Sequence, residues 1–379
     1  MRATRPTLLA AITLLTLTAS PTLAEDWPHF LGPTGDGKST ESIRLEWPET
    51  GPPILWHRAV GEGYSAPSVA EGRLFVFDRV GDQARLAAWD PATGESHWQI
   101  GYTTDYEDYY DYSGGPRTSP VIDAGRVVTF GVEGRLRAHR VTDGELLWDV
   151  DTTTRYGVIQ NFFGVGATPV VEGDLLIVMV GGSPQDSPTI HSGKVQGNGT
   201  GLVAFDLATG AERWRTSDEL ASYATPTLAT IDGTRHGLAF LRGGLLGFDP
   251  SDGAERFFFP WRAKKLESVN AASPLVIDDT VLITESYGPG AALLRLVEGE
   301  GGTLDPKVVW KDPRRGKSLE SHWSTPIVHD GFIYASSGQS TGEAELRAID
   351  HATGKVRWRV PGLGRSTLLY ADEHLVVLT

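Results

Sequence analysis

The chain has 379 residues, no cysteine and a formal net charge of −14. Without thiols there can be no disulfide, zinc–thiolate or iron–sulfur site, covalently attached haem or cysteine nucleophile. The acidic balance disfavours nucleic acid and anionic lipid as partners.

Residues 1–24 read as an export signal. Arg2 and Arg5 form a basic start, "LLAAITLLTLTAS" is an apolar core too short to span a bilayer, and Thr22 and Ala24 supply small residues before a cleavage point. A periplasmic or secreted location is expected, and no other stretch is long and apolar enough for a membrane span. Residues 25–52 are expected to form an N-terminal strap. Within it, "GPTGDGKST" matches the phosphate-binding pattern at Gly32, Gly37, Lys38 and Ser39. A working phosphate loop needs a strand before it and a helix after it. The prolines of "ESIRLEWPETGPP" argue against that helix, so a turn and no nucleotide are expected.

From residue 53 onward one string recurs: "LAAWDPATGESHW" (86–98), "LRAHRVTDGELLW" (136–148), "LVAFDLATGAERW" (202–214), "LLGFDPSDGAERF" (245–257) and "ELRAIDHATGKVRW" (345–358). Each reads as a strand ending at Asp or its replacement, a tight turn with glycine, and a strand carrying an aromatic residue. The aromatic anchors are Trp56, Trp98, Trp148, Trp214, Phe257, Trp310 and Trp358. Between them lie "YSAPSV", "RTSPVI", "GATPVV", "YATPTL", "AASPLV", "WSTPIV" and "RSTLLY", each followed by a turn and another apolar strand. Four short strands cannot bury both faces alone, and radial stacking answers this. An all-β fold is predicted: a β-propeller over residues 53–379 with about seven four-stranded blades, eight being the alternative. "PILWHRAV" (53–60) is expected to close the ring as the outer strand of the last blade. That blade reads as two strands at 365–379, so it is either three-stranded or part of a longer sequence.

The unit A-x-D-x-x-T-G-x-x-x-W resembles the pyrroloquinoline-quinone-like propeller repeat, and "DWPHFLGPTGDG" is similar to the opening of exported members of that group. The resemblance spans about residues 25–379. It implies the fold more than an activity, because dehydrogenases and an outer-membrane assembly lipoprotein share the repeat. The dehydrogenases usually have eight blades, and many carry adjacent cysteines beside the cofactor; this chain has neither feature.

Long connections fall between blades or between second and third strands, which places them on one face. The position three residues before each strand-opening proline should ring the channel mouth there: Tyr64, Arg117, Gly166, Tyr223, Ala271, Trp323 and, by equivalence, Arg365, with Asn270 and His322 one residue earlier. Aromatic walls and arginines suit a flat, anionic, conjugated ligand. The resembled family's pyrroloquinoline quinone has that character, and Glu267 with Asn270 offers a thin case for its calcium. The acidic, tyrosine-rich 102–116 suits protein contact. "GQSTG" (338–342) lacks the strand–turn–helix setting of a nucleophile elbow. The expected function is an exported binding or scaffold module for a protein partner or small anionic ligand. The alternative is a quinone-dependent dehydrogenase acting on an alcohol or sugar.

Overall fold

The computed structural model describes residues 25–159, 161–192, 194–299 and 302–379; the export segment lies outside them. Six four-stranded antiparallel sheets follow one another along the chain. Sheet 1 comprises Ser68–Ala70, Arg73–Val80, Gln83–Trp89 and Ser96–Thr103. Sheet 2 comprises Val121–Asp123, Arg126–Phe130, Arg135–Arg140 and Leu146–Asp151. Sheets 3 to 6 repeat the plan, beginning at Val170, Thr227, Leu275 and Ile327. In each, the four strands pair in sequence order. The first strands of sheets 1 and 2, of 3 and 4, and of 4 and 5 touch, so these strands lie nearest the axis. Among the described residues the α-helix is confined to Thr152–Tyr156, and 3₁₀ turns occur at Ile190–Ser192 and Gly302. No helix there is long and apolar enough to cross a membrane.

The repeated string builds the contacts between sheets. Asp90, Asp206 and Asp350 accept the backbone N–H of Thr93, Thr209 and Thr353, three residues on. The turn then passes through glycine at positive φ, as at Gly94 and Gly210. Over each such glycine lies the tryptophan of the preceding outer strand: Trp98 on Gly144, Trp148 on Gly210, Trp214 on Gly253 and Trp310 on Gly354. A Cβ at Gly210 would sit 2.8 Å from the Trp148 ring, so only glycine admits the indole. Trp98, Trp148 and Trp310 also donate Nε1–H to Val141, Leu207 and His351 carbonyls in the next sheet. The buried core is accordingly a series of seams. Phe130, Leu136 and Trp148 pack on Leu176 and Phe205 between sheets 2 and 3, and comparable clusters join sheets 1 and 2, 3 and 4, 4 and 5, 5 and 6, and sheet 6 with the final strands Thr367–Ala371 and His374–Leu378, which belong to sheet 7.

Closure differs from the expectation. Residues 53–60 form no strand. The N-terminal segment that pairs with the last sheet is Lys38–Ser39, which runs parallel to Thr367–Ala371, itself paired with His374–Leu378. Sheet 7 thus has three strands, the added one on the axial side. Trp56 nevertheless occupies the outer-strand tryptophan's place: its ring covers Gly94 and its Nε1–H donates to Pro91 O at 3.0 Å. The physical reason is spacing: no described strand lies between His374–Leu378 and 53–60, so that segment is held by side chains instead of a ladder. The same pairing answers the phosphate-loop pattern. Lys38 and Ser39 belong to a strand, Lys38 lies 3.3 Å from Asp36, and no helix follows.

Candidate functional site at the channel mouth

A cavity of about 860 Å³ opens where the segments entering the first strands converge. Tyr64 comes from the approach to sheet 1, Arg117 to sheet 2, Gly166 to sheet 3, Tyr223 to sheet 4, Ala271 to sheet 5, His322 and Trp323 to sheet 6, and Arg365 to sheet 7. A cavity that takes one wall from every sheet sits on the axis. The residues read from the sequence as ringing the mouth therefore do ring it, with one exception. Asn270 is buried, donates Nδ2–H to Leu241 O at 2.7 Å and lies outside the lining. Its neighbour Glu267 is half-buried on the same connection and also outside the lining. Among the described residues no group of three or more His, Asp or Glu side chains could hold a metal ion.

The wall is aromatic on one side. Trp323 meets Tyr223 at 5.4 Å, Phe163 at 6.1 Å and His322 at 5.1 Å between ring centroids. Tyr223 is fixed by the Phe163 N–H, which donates to its hydroxyl at 2.7 Å. A Cβ at position 166 would lie 2.5 Å from the Tyr223 ring, which explains glycine at that ring position. Burial and the nearby Arg365 and Lys265 charges drive the His322 pKa down to about 4, so the ring is neutral near pH 7. One of its nitrogens lies 2.7 Å from the Tyr287 hydroxyl and the other 3.4 Å from Arg365 Nη1. A guanidinium can only donate, so Nδ1 accepts and Nε2–H donates to Tyr287.

The two ring arginines are not equivalent. Arg117 is committed: Nη2 pairs with Asp108 at 2.6 Å and also donates to Ser113 O. This pair, with Arg79 holding Tyr106, Gly114 and Thr104 carbonyls, folds the tyrosine-rich connection into fixed structure. Tyr109 and Tyr112 remain exposed on it. Arg365 and Lys265 carry no ion pair among the described residues; Lys265 lies 5.0 Å from the Tyr287 ring centroid. No Asp or Glu lines the cavity. Lys265, Tyr287 and Phe163 were not read from the sequence, because they lie on connections outside the repeat.

The donor set bears on the quinone and calcium. The mouth supplies an aromatic face and uncommitted cations for a conjugated carboxylate. With no carboxylate in its lining and two uncommitted cations there, it lacks the anionic oxygen ligands on which a calcium site is built. The residues do not fit the cofactor–metal pair.

Glu285 sits behind this wall, 1% exposed, accepting from Ser268 Oγ at 2.8 Å and Tyr287 N at 3.0 Å. Burial, reinforced by the charge of Glu320 and opposed by Arg262, pushes its pKa from 4.5 up to about 7. The folded state therefore binds the proton more tightly than the unfolded chain. The resulting stabilisation is complete below about pH 4.5 and is lost as pH rises through about 7. Stability is expected to fall by about 2–3 kcal/mol from pH 5 to pH 8 through this group, at 1.36 kcal/mol per pKa unit. Urea unfolding of parent and Glu285→Gln across that range checks it; identical pH slopes would refute the assignment.

Comparison with known proteins places the fold in a family. The sequence profile described as outer membrane protein assembly factor BamB matches residues 45–185 and again 179–360. The chain belongs to that family. The BamB crystal structure from Moraxella catarrhalis is similar at 17% identity and a TM-score of 0.55, covering 84% of this chain and 81% of that one. A quinohemoprotein alcohol dehydrogenase from Pseudomonas putida is similar at 14% identity and a TM-score of 0.52, covering 82% of this chain and 61% of that one. At these identities the structural likeness speaks to the propeller alone. No curated protein matches the chain. The repeat aromatics pack between sheets, whereas the mouth is lined by the connections that enter the first strands.

Proposed function

We propose that this member of the BamB family is an exported binding module whose mouth receives an acidic segment of a protein partner. One observation carries the reading. In a chain of net charge −14 the axial cavity is lined by Arg365 and Lys265 without an opposing carboxylate. Such a site attracts carboxylates, and its Trp323, Tyr223 and Phe163 wall supplies apolar contact beside them. The exposed Tyr109 and Tyr112 extend that contact surface. A periplasmic location accords with the signal-like residues 1–24 and with the family.

The test is calorimetric titration of the full chain with a peptide of alternating glutamate and phenylalanine. Binding is expected to weaken with salt. The Lys265→Gln/Arg365→Gln double variant is expected to raise Kd roughly ten- to a hundredfold, the range for losing charged hydrogen bonds. Equal affinity in parent and double variant would overturn the proposal. So would calcium-dependent dye reduction with added quinone and an alcohol, which would favour the dehydrogenase reading.

A further inference from the structure

A second cavity, of about 500 Å³, lies off the axis between sheets 3 and 4. Asp218, Glu219 and Leu220 form one wall, on the connection between those sheets. Arg242, in the tight turn after Thr234–Phe240, and Arg262, just past Glu255–Pro260, form another. Both guanidiniums converge on one acceptor. Arg242 Nη2 donates to Leu266 O at 3.2 Å, and Arg262 Nη2 donates to the same oxygen at 2.9 Å. That carbonyl is the one protein acceptor found for either guanidinium among the described residues, and neither group has an ion pair there. Arg242 is 7% exposed, its guanidinium packed 4.8 Å from the Phe162 ring centroid. Arg262 Nε is buried and has no acceptor.

Two like charges held together, Arg242 buried and Arg262 half-buried, are costly unless an anion joins them. Burial, and then the charge of Arg262, drives the Arg242 pKa down to about 10. Glu219 lines the cavity without closing on the arginines: its Oε2 accepts the Gly243 N–H at 2.9 Å. A Cβ at position 243 would come within 2.5 Å of that carboxylate, so glycine permits the approach. The cavity thus has a forked donor wall and, facing other contacts, a wall of carboxylate acceptors.

We propose that this cavity binds a small carboxylate that also carries a hydroxyl or ammonium group, with its carboxylate on the Arg242–Arg262 pair and its donor toward Glu219 and Asp218. Planar guanidiniums match a carboxylate's two oxygens, and a single ligand with both functions satisfies both walls. The site is separate from the axial mouth and does not depend on the partner reading above.

The experiment is titration calorimetry on the full chain with glycerate, L-serine and acetate. Glycerate and serine are expected to bind at least about tenfold more tightly than acetate, one lost hydrogen bond to a charged group corresponding to about that factor. Arg262→Gln is expected to weaken both by about tenfold or more, and Arg262→Lys, which keeps the charge but loses the fork, by less. Glu219→Gln should narrow the gap between serine and acetate. Failure of glycerate and serine to exceed acetate, or unchanged binding in both Arg262 variants, would overturn the proposal. A thermal melt of each variant identifies any that fails to fold, and the lysine variant then decides.

Discussion

Asp108→Ala is expected to destabilise the protein by about 3–5 kcal/mol, the cost of leaving a buried charge without its partner. The side chains of Arg117 and Asp108 are only 7% and 2% exposed, and they meet at 2.6 Å. Asp108 also accepts the Tyr110 N–H at 2.9 Å, so its carboxylate organises the connection as well as neutralising the arginine. Removing both charges tests the cause. In Asp108→Ala/Arg117→Met no ion remains stranded, and most of the lost stability is expected to return. Urea titration of the two variants gives the comparison, and limited proteolysis reports whether 102–116 has been released. If Asp108→Ala unfolds within about 1 kcal/mol of the parent, well below the range for such pairs, the ion pair does not organise this connection in solution.

Trp148→Ala should cost a similar amount, about 3–5 kcal/mol, as for other large core truncations. Trp148 is 8% exposed, covers Gly210, and donates to Leu207 O at 3.0 Å, so its loss opens the seam between sheets 2 and 3. Gly210→Ala attacks the same seam from the other side, through a Cβ 2.8 Å from the indole and a φ of +70°. Trp358 provides the control. It holds the same place in the repeat but is 42% exposed, with no covered glycine beyond it. Trp358→Ala is expected to cost less than half as much. Equal losses at Trp148 and Trp358, measured by denaturant midpoint at constant m-value, would mean that the covered glycine contributes little.

What the sequence made legible follows from which residues repeat. The tryptophan–glycine contacts and the ring positions recur at fixed places in a repeated unit, so one copy informs the others. Tyr64, Tyr223 and Trp323 could be placed without any structure. Asn270 could not: adjacency put it beside the ring, yet its amide is drawn inward by the Leu241 carbonyl. The pairing of Arg117 with Asp108 was equally hidden, because it depends on the path of an irregular connection. Lys265 and Tyr287 belong to no repeated position, and a residue that occurs once gives no spacing to read. Lys38–Ser39 escaped notice because a two-residue parallel pairing has no alternation pattern; the glycines around it suggested a phosphate loop instead.

The seams also set an order of events. When each unit touches only its two neighbours, a ring loses structure at its weakest junction, and the rest then peels away unit by unit. Six junctions are filled by apolar side chains from both flanking sheets. The seventh, between the last sheet and the first, is bridged through residues 25–60: Lys38–Ser39 pairs with Thr367–Ala371 of the last sheet, while on the first Trp56 packs against Trp89, Arg58 lies 4.8 Å from the Trp89 ring centroid, and Trp27 bridges to Val69. These contacts all come from residues 25–60, a segment without the ladder of a full sheet. Deleting that segment is therefore expected to leave this junction unfilled and to make it the first to open, turning a closed circle into an open array with two ends.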